Sequence, residues 1–194
     1  MVNFVWYCNY PENSQEIQDL MTDVDGNKHH NTVTAGKVQP SIWERQKAYA
    51  ASVLPPPFVN VILRTKEPFV QRITDVEQAS KVTFFDGKLI IAGDALSHFR
   101  PHIASSTNQA ALNALLLDEY IKGQISAEER DVRCLDYATA TRMKSVAWGT
   151  INQFGRFASF VAVTMCLKAL AIIWIRSKLR DIFGSEGKTK EKTS

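Results

Sequence analysis

The run Leu89-Ile90-Ile91-Ala92-Gly93-Asp94-Ala95, continued after a short gap by Arg100-Pro101-His102-Ile103-Ala104-Ser105-Ser106-Thr107-Asn108-Gln109-Ala110-Ala111, decides the reading of this chain. Its first five residues are a continuous apolar stretch, the pattern of a strand buried on both faces. Asp94 stands at the carboxyl end of that strand. Ser105, Ser106, Thr107 and Asn108 are all residue types that cap helix starts, and Ala110, Ala111, Leu112, Ala114, Leu115 and Leu116 are strong helix formers. The expected local structure is therefore strand, acidic residue, loop, helix. Ligands of α/β sheets gather at the carboxyl ends of strands. A carboxylate there accepts hydrogen bonds from hydroxyls, and a helix start offers unpaired N–H groups and the positive end of a dipole. Such a pair suits a ligand with sugar-like hydroxyls and an electron-rich ring edge. The same pattern is also met by a plain strand–loop–helix connection in which Asp94 caps a turn.

Upstream, Asp86-Gly87 between Lys81–Phe85 and Lys88–Ala92 predicts a hairpin with a tight turn. Residues 3–10 and 31–38, Phe58–Arg64 and Pro68–Ile73 read as strands. The strand at 3–10 is so apolar that it requires neighbours. Its Trp6 and Tyr7 point to opposite faces, so only one of them can line a cavity. A short helix is expected over Glu16–Asp23, then a turn at Asp25-Gly26, with His29-His30 in an exposed turn. Ser41 with Glu44 forms a capping-box pattern for a helix that must stop before Pro55-Pro56-Pro57. Ser126 with Glu129 opens another helix. From 184 the sequence is polar without apolar periodicity, which predicts a disordered tail.

The fold class implied is α+β: a β-sheet region with flanking helices over 1–87, the strand–loop–helix segment over 88–123, and helices over 124–183. With 45% hydrophobic and 22% charged residues the composition is that of a globular protein. A net charge of +3 without a basic–aromatic run gives no case for nucleic acid. Cys8, Cys134 and Cys166 are far apart, and no metal-ligand spacing occurs. Free thiols and an N-terminus without a basic and apolar leader predict a cytoplasmic protein. Residues 157–175 hold a single charge, Lys168, over a length near that of a bilayer span. Lys168 at mid-span would cost about 2.5–3.5 kcal/mol. A helix packed on protein and a helix in contact with membrane both remain open for this segment.

Gly93-Asp94-Ala95 followed by Pro101 and a small-residue loop resembles the second flavin fingerprint of FAD-dependent aromatic-ring monooxygenases. Arg100-Pro101-His102 with Ala110-Ala111 and Ala114, Pro68-Phe69-Val70-Gln71 with Ile73 and Asp75, Val5-Trp6-Tyr7, and Asp23-x-Asp25-Gly26 resemble the 2,6-dihydroxypyridine 3-monooxygenase branch. The resemblance covers roughly residues 3–120. It implies an aromatic hydroxylase that uses FAD, NAD(P)H and O2 on a phenol- or hydroxypyridine-like ring, of which this chain is the C-terminal half. It also implies that Gly93, Asp94 and Ala95 meet the ribityl chain, that Pro101 lies by the isoalloxazine, and that amides of Ala104, Ser105, Ser106, Thr107 and Asn108 face the pyrimidine edge. His98, Arg100 and His102 are candidates to face flavin or substrate, or are loop residues with structural hydrogen bonds. No catalytic residue is assigned, because the flavin carries the oxygen chemistry. Three features depart from the family pattern. Ala104-Ser105-Ser106 stands for its G-x-G, Asn113 replaces a helix aspartate, and no G-x-G-x-x-G unit occurs in the sequence. The alternative is a redox-inactive scaffold that binds an aromatic ligand, the missing half, a dimer mate or a membrane.

Overall fold

The structure, a computed structural model, describes residues 4–74 and 76–190, with 181–190 by backbone alone. Asn3, Asp75 and residues 191–194, on which some expectations fall, lie outside the described residues. The chain divides into two compact units, Met1–Thr74 and Asp75–Ser194. The division precedes the Asp86-Gly87 hairpin, so the hairpin belongs with the helices and not with the first 87 residues.

In the first unit, helix α1 (Gln15–Leu20) starts at Ser14, whose hydroxyl accepts from the Ile17 N–H. It leads into a loop organised by one buried carboxylate. Asp23 accepts from the N–H groups of Asp25 and Asn27 at 2.9 and 2.8 Å, and its other oxygen lies 2.9 Å from His29 Nε2. These partners, the imidazole first, hold the Asp23 carboxyl well below the usual range. His29 is thus half-buried and engaged, which corrects the expected exposed turn; only the neighbouring His30 fits that description. Gly26 takes φ 82° in the loop, the left-handed geometry that its Asp-Gly position predicted.

Strand β1 (Thr32–Val33) pairs antiparallel with β2 (Val70–Gln71), with Val33 opposite Val70. Both expected strands exist, but as two-residue ladders. Met21, Val33 and Val38 form a small core with Ile17, Trp43 and Val70 against it. Helix α2 (Pro40–Val53) starts one residue before the expected Ser41 cap. Pro40 occupies its first turn, where fixed φ and a missing N–H cost nothing, and the Gln39 amide donates to the Thr22 carbonyl instead of capping. The helix ends at Leu54, before the prolines, as expected.

Two strand expectations fail here. Phe58–Arg64 is part of helix α3 (Pro56–Arg64). The prolines that close α2 pre-set the first turn of α3, and Val59 and Ile62, three apart, supply its inward face. Residues 4–10 form no ladder, yet they alternate strictly: Phe4, Trp6, Cys8 and Tyr10 are half-buried, and Val5, Tyr7 and Asn9 are exposed. They have the periodicity of a strand without a partner strand among the described residues. Trp6 stacks on Tyr49 of α2 with ring centroids 5.6 Å apart, and the Tyr10 hydroxyl accepts from Gln46 Nε2 at 2.7 Å. Burial pushes the Cys8 thiol up to about 11.

In the second unit, β3 (Thr83–Phe84) pairs antiparallel with β4 (Leu89–Ile90) around a turn in which Phe85, Asp86 and Gly87 all take positive φ. The hairpin is as predicted, but β4 is not buried on both faces. Leu89 is exposed, and Ile90 and Ile91 are half-buried, because a two-stranded ribbon packs only one face on the helices. Val82, Leu96, Leu116, Cys134 and Ala138 form the core, drawing on the hairpin, on α4 (Ser106–Ile121) and on α5 (Ala127–Gln153). Helix α5 opens at Ser126, whose hydroxyl accepts from the Glu129 N–H at 3.1 Å, as the capping box predicted. Helix α6 (Arg156–Lys190) packs back along α5 and is tied near its far end by Arg180 to Asp136 at 2.7 Å. It continues through 184–190, where a disordered tail was expected. Extending a formed helix adds one hydrogen bond per residue and needs no apolar periodicity.

Arg130 is 2% exposed. Its guanidinium binds the Asp131 carboxylate at 2.6–2.9 Å, donates to the Thr83 hydroxyl, and lies 4.4 Å from the Tyr120 ring centroid. It therefore joins α5, β3 and α4 at one point. Arg130→Ala should lower the stability of this unit by about 3 kcal/mol, since it opens a cavity and strands buried partners. A urea titration followed by far-ultraviolet circular dichroism measures the shift.

Candidate functional site

The site begins where β4 gives way to a 3-10 turn at Gly93–Ala95. Gly93 is buried with φ 57°, and a β-carbon there would sit 3.6 Å from that of Ala110. Its backbone is gripped from α4. The Gly93 N–H donates to Asn113 Oδ1 at 2.9 Å, and Gln109 Nε2 donates to the Gly93 carbonyl at 2.7 Å and to the Ser97 carbonyl at 2.9 Å. Asn113 Nδ2 completes the chain of contacts at 3.3 Å from Cys134 Sγ on α5. Gln109 and Asn113 are one helical turn apart and buried, so a single face of α4 holds the turn.

The clasp also accounts for Asn113 where the family pattern has aspartate. An amide both accepts from Gly93 and donates toward Cys134, with no buried charge. Of the two residues, Gln109 was missed in the sequence. Its signal is a pair of long-chain amides four apart within an Ala/Leu-rich helix.

With Gly93 fixed, Asp94 projects its carboxylate into solvent, 56% exposed, with His98 Nδ1 3.6 Å away. Pro101–Ile103 forms a second 3-10 turn. It ends at Ala104 with φ 49° and ψ 40°, left-handed geometry at a position where the family pattern has glycine. The alanine therefore takes a left-handed backbone and bears the steric cost of its β-carbon. Helix α4 follows, its first turn formed by Ser106, Thr107 and Asn108, and no side chain caps it. Ala104, Thr107 and Asn108 are exposed, and Ser105 and Ser106 are half-buried. Ser105 turns its hydroxyl to the Ile103 carbonyl at 3.0 Å.

Arg100 and His102 pack on α5. Ser145 Oγ donates to the Arg100 carbonyl at 2.9 Å, and a β-carbon at Gly149 would stand 2.9 Å from the His102 ring and 3.4 Å from the Arg100 guanidinium. A glycine near the C-terminal end of α5 thus admits the imidazole. Burial, with the Arg100 charge beside it, lowers the His102 pKa and favours the neutral ring. Of the residues singled out in the sequence, the structure brings Gly93, Asp94, Ala95 and His98 together and packs their turn on the start of α4. It seats Arg100 and His102 against α5.

An exposed carboxylate on a turn packed against α4, and the uncapped first turn of that helix, supply the acceptor and donors that a polyhydroxyl chain joined to an electron-rich ring requires. The ribityl and pyrimidine portions of a flavin have that chemistry, so the residues present fit the group.

Comparison with known proteins agrees with the resemblance. Residues 1–75 match a family model described as FAD binding domain-like, a match that ends before the Gly93 turn. The chain is 27% identical over 158 residues, 81% of its length, to 2,6-dihydroxypyridine 3-monooxygenase of Paenarthrobacter nicotinovorans, of which this region is 37%. The solved structure of 2,6-dihydroxypyridine-3-hydroxylase from Arthrobacter nicotinovorans matches in fold with a TM-score of 0.54 at 23% identity. That match covers 70% of this chain and 33% of the solved one. The chain spans about a third of the length of the relatives it matches. It is similar to a partial region of an FAD-dependent aromatic-ring monooxygenase, and its helix-rich fold with small sheets resembles that part of the flavoprotein hydroxylase.

Two substitutions test the clasp and the left-handed residue. Asn113→Leu should cost about 1–3 kcal/mol by leaving the buried Gly93 N–H without an acceptor. Ala104→Gly should instead raise stability by about 0.5–1 kcal/mol by removing the β-carbon penalty. Paired thermal melts resolve both.

Proposed function

We propose that this chain supplies the ribityl-binding turn and the substrate-side structure of an FAD-dependent monooxygenase that hydroxylates a phenol- or hydroxypyridine-like ring with NAD(P)H and O2. The observation that carries the reading is the Gly93–Asp94–Ala95 turn, clasped to α4 so that the Asp94 carboxylate and the uncapped amides of Ser106–Asn108 are both left for a ligand. The similarity to a 2,6-dihydroxypyridine 3-monooxygenase supports the same reading.

In this arrangement each part has one task. Asp94 accepts hydrogen bonds from ribityl hydroxyls, with His98 3.6 Å away to orient its carboxylate. The first turn of α4 presents N–H groups and the positive end of its dipole to the pyrimidine edge, which gains negative charge when the ring is reduced. Pro101 and Ala104 shape the loop between them. The flavin supplies hydride acceptance and oxygen activation when bound, which is why the protein needs no acid of its own for oxygen transfer. The adenosine diphosphate portion requires a strand–GxGxxG–helix unit, which residues 1–194 do not contain.

The purified chain titrated with FAD should quench flavin fluorescence, with Asp94→Ala weakening the affinity about tenfold or more, the worth of hydrogen bonds to a charged acceptor. Affinity indifferent to Asp94 would reject the assignment, and no quenching at all would reject flavin binding by this chain on its own.

A further inference from the structure

The net charge of +3 conceals a sharp segregation. Between Asp136 and Asp181 lie seven of the 23 basic residues and none of the 20 acidic ones, so the rest of the chain carries a net charge of −4. The basic stretch coincides with the second half of α5 and with α6 as far as Arg180. Within α6, the segment Arg156–Arg180 is 25 residues long and apolar, and Cys166 alone in it is buried. It is not the core helix of this unit.

The geometry distinguishes its two faces. Ala158, Ala162, Cys166, Ala169, Leu170 and Ile173 recur at helical spacing and are half-buried or buried, forming the stripe laid on α5. On the opposite side Phe157 is 82% exposed, Phe160 69% and Leu167 61%, with Ile172, Ile175 and Leu179 continuing the band. Arg156, Lys168, Arg176 and Lys178 border or interrupt this band, and all are exposed. At the α5–α6 junction an open apolar groove is lined by Ile151, Phe154, Arg156, Phe160 and Val163, with Trp148 exposed on the preceding turns of α5.

We propose that the outer face of α6, with the aromatic tip at 148–160, docks in the plane of an anionic phospholipid bilayer. Three features select this occupant. The first is charge: a band of cations without a single acidic residue is complementary to anionic headgroups. The second is the combination of a wide apolar face with aromatic side chains and basic flanks, which suits burial at the headgroup–acyl boundary. The third is the Arg180–Asp136 ion pair, which with the inner stripe keeps α6 on α5. Spanning would strip that stripe and carry Lys168 to the bilayer centre. Lying flat preserves both contacts and lets the Lys168 stem reach back to the headgroups.

The test uses the full 194-residue chain and vesicles of phosphatidylcholine with or without phosphatidylserine. Cosedimentation should require phosphatidylserine, fall with added salt, and be reversed by alkaline carbonate. Phe157→Ser with Phe160→Ser should lower partitioning by at least about tenfold. Arg176→Gln and Lys178→Gln should each lower it about fivefold, the equivalent of about 1 kcal/mol per cation near the surface. All four side chains are exposed, so circular dichroism should be unchanged, which separates lost docking from lost folding. Three results would overturn the proposal: no binding to phosphatidylserine vesicles, resistance to carbonate extraction (a spanning helix), or a dimer abolished by the phenylalanine substitutions in the absence of vesicle binding (a second copy on the face).

Discussion

The structure around the candidate site depends on one constraint, the fixing of the Gly93 backbone by two amide side chains of α4. Glycine at φ 57° is a reversal that the apolar strand before it does not specify. Its polar groups are buried where water cannot satisfy them. Asn113 supplies the acceptor for its N–H, and Gln109 adds a donor to a carbonyl that also accepts from the Leu96 and Ser97 N–H groups; because the two amides sit one helical turn apart they also set how α4 lies against the turn. The turn that carries Asp94 is thus held in place by side chains of α4.

How far the sequence conveyed this varies by element. The hairpin at Asp86-Gly87, the capped start of α5, the stop of α2 at the prolines and the strand–loop–helix order at 89–121 were all legible, because each rests on a local rule: turn chemistry, a hydroxyl cap, a missing N–H. The clasp was not legible. Asn113 stands out only as a departure from a pattern, and the Gln109/Asn113 spacing shows that two amides share a helix face but not that Gln109 binds a backbone carbonyl sixteen residues upstream. Phe58–Arg64 was misread because Phe-Val-Asn-Val-Ile-Leu offers β-branched residues in either periodicity, and the three prolines before it serve equally as a strand boundary and as a helix first turn. The two-sided burial expected of Leu89–Ile91 failed for a different reason: an apolar run reports an affinity for cover, not how many faces receive it.

Residues 4–10 show the same distinction from the other side. Their alternation of half-buried and exposed positions is complete, and Trp6 and Tyr10 are anchored on α2, yet they form no ladder. Side-chain periodicity and ladder hydrogen bonding are separate consequences of an extended backbone. The first needs only one packed face, whereas the second needs a neighbour of matching register.

Comparing how polar groups are satisfied across the chain sharpens the assignment of the site. At Asp23, two backbone amides, an asparagine and an imidazole converge on one carboxylate, and at Arg130 a guanidinium is shared among a carboxylate, a hydroxyl and a ring face. Asp23 is consumed by the fold, and at Arg130 the Nε and Nη2 groups are, with Nη1 buried out of reach of solvent. At Asp94 and at the mouth of α4 the accounting differs: the carboxylate is turned to solvent with one histidine 3.6 Å away, and the helix starts without a side-chain cap although Ser105, at the N-cap, carries a hydroxyl. Ser105 spends that hydroxyl on the Ile103 carbonyl and leaves the amides open. Serine caps α1 and α5, whereas α2, α3 and α4 all start without a side-chain cap; α2 and α3 open on prolines that lack an N–H, so of these three only α4 keeps every amide of its first turn.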